Sequence, residues 1–140
     1  MDEGEMREAL QEYQSIQKQM QALQKYSEEV DEQIEELQTT RDAVEEIRDS
    51  EEGDEIFFPL GQGAFAKGEV TDTEEVLVDL GADTYSRKEI GAAEDLLEER
   101  KEELRESQER INEQLQDLQD RIQELQPKLQ ELQRAMQGQV

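Results

Sequence analysis

The segment Gly61-Gln62-Gly63, followed by Phe65, is spaced like the start of a nucleotide-binding loop. A Gly-x-Gly pattern before a Phe opens the glycine-rich loop with which protein kinases cover ATP. Ala66 stands where that loop has its third Gly, and the sequence contains no Gly-Lys-Ser or Gly-Lys-Thr phosphate loop. The sequence therefore predicts no nucleotide site and no cofactor.

A second candidate is the acidic segment 49–54, whose carboxylates resemble the ligands of a calcium loop. Gly53 lies one position too early for that loop, and no bidentate Glu follows at the required spacing. The chain has no Cys, His or Trp, so it offers no thiolate nucleophile, no imidazole base and no thiolate or imidazole metal ligand. We predict no metal site and no catalytic residue, and an enzyme relying on carboxylates alone is the weakest function class.

The charge balance argues against two kinds of partner. The 140 residues include 15 Lys and Arg against 39 Asp and Glu, which gives a formal charge of −24 at pH 7. Nucleic acids and anionic membranes both attract clustered basic residues, so we expect neither to bind this chain. The longest apolar run, 56–60, is too short to span a bilayer, and the first five residues include three acidic and no basic side chains. We expect a cytoplasmic protein and interpret its acidity as adaptation to high salt.

Two long segments have the apolar spacing of helices. The first covers about residues 5–49, where apolar side chains recur every three or four positions apart from one gap at Arg41, without an intervening Pro or Gly. Its stripe consists of Met6, Leu10, Tyr13, Ile16, Met20, Leu23, Tyr26, Val30, Ile34, Leu37, Val44 and Ile47. This spacing predicts one long amphipathic helix.

The second segment, about residues 88–137, repeats in heptads and is typical of a coiled coil. One heptad position holds Leu97, Leu104, Ile111, Leu118, Leu125 and Leu132, and the other holds Leu115, Ile122, Leu129 and Met136. Lys101 and Gln108 occupy the second position earlier in the segment, where they should weaken the pairing and help to fix its register. Ser86-x-x-Glu89 matches a capping box, which predicts a helix start at Ser86.

Between these segments, about residues 55–86, short β-type runs alternate with turn residues and predict two β-hairpins. Their apolar residues fall on both faces, whereas a hairpin can bury one face against its own chain, so we expect a partner subunit to cover the rest. The predicted interface residues are Ile56, Phe57, Phe58, Phe65, Val76, Leu77, Val78 and Leu80. The predicted fold class is mostly α: a long antiparallel intramolecular coiled coil with two hairpins between its helices, in one domain of residues 1–140.

Two motifs within this pattern carry a family resemblance. Residues 59–65 read Pro-Leu-Gly-Gln-Gly-Ala-Phe, and residues 76–81 read Val-Leu-Val-Asp-Leu-Gly. Together with the order helix, two hairpins, helix, they resemble the α-class subunits of archaeal prefoldin over essentially the whole chain. The resemblance places the start of the second helix nearer Glu89 and Ile90 than Ser86.

The resemblance implies an ATP-independent molecular chaperone, a hexamer of two α-class and four β-class subunits whose hairpins form a β-barrel platform. It also implies that unfolded client proteins are held at the distal ends of the coiled coils and delivered to a group II chaperonin. In this sequence the apolar residues nearest those ends are Met6, Leu10, Tyr13, Leu132, Met136 and Val140. These side chains would bind clients, or alternatively would close the coiled coil.

A structural adaptor, a coiled-coil homodimer that joins larger proteins without chaperone activity, remains the alternative function. It explains the heptads but gives no reason for the apolar hairpins.

Overall fold

The computed structural model describes residues 3–138, and these form two long helices separated by four strands. The elements are α1 (Glu3–Asp49), β1 (Glu55–Gly61), β2 (Ala64–Glu69), β3 (Glu75–Gly81), β4 (Thr84–Glu89) and α2 (Ile90–Gln137). They confirm the predicted order of helix, two hairpins and helix. The described residues divide into two compact units, the terminal unit (3–32 with 105–138) and the hairpin unit (33–104).

The terminal unit is an antiparallel pair in which the start of α1 packs against the end of α2. Its buried core consists of Ala9, Ile16 and Leu125, and Leu125 is 1% exposed. Partly buried side chains surround this core, namely Tyr13, Met20, Leu118, Ile122 and Leu129. Four of the heptad side chains predicted for this part of α2 therefore line the helix contact, namely Leu118, Ile122, Leu125 and Leu129.

Two residues assigned to the apolar stripe of α1 lie outside the helix contact. Leu10 is 41% exposed and Tyr26 is 50% exposed, whereas Ala9 is buried. The reason is the heptad register, because Ala9 precedes Ile16 by seven residues and Leu10 falls one position off that row. In the same way, Ser27 rather than Tyr26 occupies the seam.

Polar layers interrupt the seam at the positions that the sequence indicated. In the terminal unit Gln108 Nε2 donates a hydrogen bond to Ser27 Oγ at 2.5 Å, and Gln108 Oε1 is buried without a hydrogen-bond partner among the described residues. In the hairpin unit Lys101 is 8% exposed, and its ammonium group donates to Gln38 Oε1. These layers penalise a shift of register, because the polar groups would then face leucines.

The two hairpins are structural repeats separated by 20 residues. Glu55 pairs with Glu69 in the first and Glu75 pairs with Glu89 in the second, and the register shifts at the equivalent place in both. At each base a backbone hydrogen bond of 2.9 Å continues the ladder, from Val70 N to Asp54 O and from Ile90 N to Glu74 O. Segments 54–70 and 74–90 therefore have the same backbone plan, and both end in a buried β-branched residue, Val70 and Ile90.

The capping-box interpretation, which begins the second helix at Ser86, is wrong. Ser86 lies in β4 opposite Val78, and α2 begins at Ile90. Pairing of β4 with β3 keeps residues 84–89 extended, so the capping box is not formed. The start implied by the family resemblance matches the structure.

Candidate interaction surfaces

One face of each hairpin exposes large apolar side chains beside charged ones. In the first hairpin Phe57 lies opposite Lys67 and Pro59 lies opposite Phe65, so these four side chains share a face. Phe57 is 69% exposed and Phe65 is 62% exposed. A single two-stranded sheet cannot cover both of its faces, which leaves this one available to another subunit.

The second hairpin repeats this exposed face at the same positions. Leu77, which corresponds to Phe57, is 65% exposed, and Tyr85, which corresponds to Phe65, is 57% exposed. The interface residues predicted from the sequence did not include Tyr85. Its signal was the 20-residue repeat, which places an aromatic side chain at the same position of both hairpins.

The opposite faces are better covered. The Phe58 ring lies over Gly68, where a Cβ atom would come within 2.3 Å of Phe58 Cε2. In the second hairpin Val78 is 8% exposed, so its own unit already buries it. Of the other predicted interface residues on these faces, Ile56 and Val76 are half-buried, and Phe58 and Leu80 remain exposed. Val78 is thus already covered within this chain, unlike Leu77 beside it.

Side chains fix the outer edge of the second hairpin. Arg100 Nη2, on α2, donates to the backbone oxygen of Asp79 at 2.6 Å. The Asp72 carboxylate accepts the backbone N–H groups of Glu74 and Glu75 at 2.8 and 3.2 Å. These contacts order β3 and occupy polar groups of its edge.

A second surface lies in the terminal unit, at the end where α1 begins and α2 ends; we call residues 3–20 and 121–138 the tip. A groove of about 580 Å³ lies between the two helices there. Its apolar lining consists of Ala9 and Leu125, and its charged lining residues are Glu5, Glu8, Glu12, Arg121, Lys128 and Glu131. The small Ala9 side chain leaves room for this groove beside the core.

A charge cluster ties the helices together at the tip. Arg121 Nε and Nη2 donate to the two carboxylate oxygens of Glu12 at 2.5 and 3.0 Å, and Arg121 Nη1 donates to Glu124 at 2.7 Å. The hydrogen bond from Arg121 lowers the pKa of Glu12 below its ordinary value, and the same bond raises the pKa of Arg121. Both side chains of the Glu12–Arg121 pair are about 40% exposed, so solvent screens the interaction.

The tip residues singled out in the sequence fall into three groups. Leu10 and Met136 are 41% and 67% exposed, and Met6 and Leu132 are half-buried. Tyr13 packs against the core, and its hydroxyl accepts a hydrogen bond from Gln17 at 2.9 Å. Val140 lies outside the described residues.

Residues 3–138 contain neither a cluster of metal ligands nor a membrane-spanning helix. Within them, no three or more acidic side chains converge in a way that would hold a metal ion. No helix in this part of the chain is both long and apolar enough to span a membrane.

The fold and these surfaces define a two-helix coiled coil that carries tandem β-hairpins with exposed apolar faces. A sequence model of the prefoldin subunit family matches residues 5–135. The chain therefore belongs to the prefoldin family.

Curated relatives give the same family. The chain is 35% identical over 66 residues to the prefoldin subunit alpha of Methanobrevibacter smithii, a match covering 45% of each protein. It is 43% identical over 49 residues to that of Methanococcus aeolicus, covering 35% of this chain and 32% of the relative. It is 36% identical over 70 residues to that of Halorubrum lacusprofundi, covering 44% of this chain and 45% of the relative. The matched region thus spans less than half of each relative's length.

A solved structure shares the fold. The cryo-EM structure of filamentous PFD from Methanocaldococcus jannaschii superposes with a TM-score of 0.75 and covers 82% of this chain and 95% of its own. The sequence identity is 18%, so this likeness supports the fold alone.

Proposed function

We propose that this chain is an α-class subunit of a prefoldin chaperone that holds unfolded polypeptides without ATP. The observation that carries the proposal is the family match over residues 5–135, and the tandem hairpins with exposed apolar faces support it. In the proposed assembly two copies combine with four β-class subunits in the cytoplasm. The complex passes its clients to a group II chaperonin.

In this proposal the hairpins are the assembly surface. Phe57, Phe65, Leu77 and Tyr85 each expose more than half of their surface on matching faces of the two hairpins. Burying them against other hairpins, in a shared β-barrel platform, would remove apolar area from water at about 25 cal/mol per Å². Assembly therefore supplies the cover that the separate chain lacks.

The tip is the proposed client surface. Leu10 and Met136 offer exposed apolar side chains there, and Met6 and Leu132 can add theirs when the helix ends separate. Tyr13 and Val140 complete the proposed set. Met side chains adapt to irregular partners, and several tips acting together raise a weak affinity at each.

Assembly is tested by measuring the mass of the chain in high-salt buffer, alone and after mixing with an archaeal β-class prefoldin subunit. We expect a hexamer with the unmodified chain and loss of the hexamer with Phe57→Ser combined with Leu77→Ser. Tyr26→Ser is the matched control, because Tyr26 is 50% exposed but lies on neither surface. A stable homodimer that ignores the β-class subunit would contradict the proposal and favour the adaptor.

Client capture is tested by aggregation of a denatured protein in the absence of ATP. The assembled complex should suppress aggregation, and Leu10→Ser combined with Met136→Ser should weaken suppression while leaving the hexamer intact. Equal suppression by this variant and by the Tyr26→Ser control would remove these two tip residues from the mechanism. No suppression by the unmodified complex would refute the holdase function.

A further inference from the structure

The charge of the protein is distributed very unevenly. The 36 tip residues contain six acidic and five basic side chains, a net charge of −1, whereas the other 104 residues carry a net charge of −23. An even distribution would give the tip about −6, enough to repel an approaching acidic chain. The region proposed to meet clients is therefore almost neutral in an otherwise strongly acidic protein.

Gln side chains are enriched at the tip, where acidic side chains are few. Nine of the 36 tip residues are Gln, against ten of the 104 residues elsewhere. All nine lie on the exposed surface of the helices, at positions 11, 14, 17, 19, 123, 126, 130, 133 and 137. A Gln side chain both donates and accepts hydrogen bonds, so it can bind the backbone of an extended chain without selecting for charge.

Some of the charges that the tip does carry neutralise one another. Arg121 is shared between Glu12 and Glu124, with contacts of 2.5 to 3.0 Å. The three groups together carry a net charge of −1, and the guanidinium between the two carboxylates weakens their field at longer range. The exposed Leu10 and Met136 side chains thus lie on a surface with a weak net field.

We infer that the tip selects unfolded segments by their apolar and amide-binding character and is indifferent to the sign of their charge. This inference rests on the proposed function and specifies its substrate class. Acidic clients, which the rest of the protein would repel, are captured as readily as basic ones. The neutral tip also makes capture insensitive to ionic strength.

The test uses two permanently unfolded probes, reduced and carboxymethylated α-lactalbumin, which is acidic, and reduced and carboxamidomethylated lysozyme, which is basic. Binding of each to the complex with β-class subunits is measured by fluorescence anisotropy at 0.1 M and 1 M salt. Gln14→Glu with Gln130→Glu makes the tip acidic, and Gln33→Glu with Gln114→Glu adds the same charge outside the tip. All four Gln side chains are exposed, and Gln and Glu have similar helix propensities, so the fold is retained.

For the unmodified complex we expect each probe's affinity to change less than about twofold between the two salt concentrations. The tip variant should weaken binding of the acidic probe about threefold at 0.1 M salt and recover at 1 M, where the Debye length falls to about 3 Å. The variant outside the tip should change neither probe. Strong preference of the unmodified complex for the basic probe, or equal effects of the two variants, would overturn the inference while leaving the holdase function standing. Failure to bind either probe would overturn both.

Discussion

Replacing Lys101 by Leu should stabilise the protein, although it removes a hydrogen bond. Lys101 occupies a seam position of α2 and is 8% exposed, and its ammonium group donates to Gln38 Oε1. An amide oxygen is a neutral acceptor, so it compensates the desolvation of a buried positive charge only in part. Leu at this position would add an apolar residue to the heptad position that holds Leu115, Ile122 and Leu129.

The expected magnitude follows from three contributions. Burying a Leu side chain contributes about 1.5–3 kcal/mol, and losing a hydrogen bond from a charged donor removes about 1.5–3 kcal/mol. These two nearly cancel, so the relief of ammonium desolvation decides the sign. Replacing a buried ion pair by apolar residues of similar volume is often neutral or stabilising by about 1–4 kcal/mol, and for this single buried ammonium group we expect about 1–2 kcal/mol.

The assay is urea unfolding followed by circular dichroism at 222 nm, in high salt and at one protein concentration. Lys128→Leu is the matched control, because it removes the same charge from an exposed position of the same helix. The control should change the free energy of unfolding by less than about 0.5 kcal/mol. If Lys101→Leu is less stable than this control, the bond to Gln38 outweighs the desolvation of the ammonium group and the reasoning fails.

Four further substitutions test other parts of the structure. Leu125→Ala, in the core of the terminal unit, should lower the free energy of unfolding by about 2–5 kcal/mol in the same urea assay. Gly68→Ala should destabilise the protein by about 1–3 kcal/mol, because the new Cβ would displace the Phe58 ring. Gly91→Ala should stabilise the protein by about 0.5 kcal/mol, because the new Cβ would lie in open space and Ala favours the helix. Glu12→Gln should lower the melting temperature at pH 7 and have little effect near pH 3. Folding lowers the pKa of Glu12, so its carboxylate stabilises the folded protein above the unfolded-state pKa. This stabilisation disappears as the pH falls through the folded-state pKa. An equal effect of Glu12→Gln at both pH values would show that its pairing with Arg121 does not contribute.

The helices and the hairpins were predictable because their signals are periodic and local. Heptads of α2 identified Leu125 and the polar Lys101, and turn residues separated the strands. The register of α1 was harder to predict. The small Ala9 is the buried residue, but the larger Leu10 beside it also fits an apolar spacing of three or four residues, so the sequence pattern favoured Leu10. The Ser86 capping pattern failed for another reason: strand pairing, a non-local interaction, overrode a local helix signal.

The apolar composition of the candidate surfaces was predictable, but which of their side chains are exposed was not. An excess of apolar residues in the hairpins indicated an interface, yet which face each occupies depends on the register of pairing. That register buries Val78 and exposes Tyr85, in contrast to a ranking by hydrophobicity. At the tip, the pairing of Glu12 with Arg121 joins residues 109 positions apart and had no sequence signal.

Both surfaces exist because one chain cannot bury all of its own apolar side chains. A two-stranded hairpin has two faces and cannot cover both by itself, so the face with Phe57 and Phe65 remains in water. At the tip, a small residue in the seam opens a groove, and the neighbouring Leu10 remains outside the core. The hairpin surface is large and aromatic, which suits permanent burial against other subunits, whereas the tip exposes isolated side chains on a neutral surface, which suits repeated and reversible contact. In the proposed function, separating the two surfaces on different parts of the chain would let the assembly stay intact while clients bind and leave.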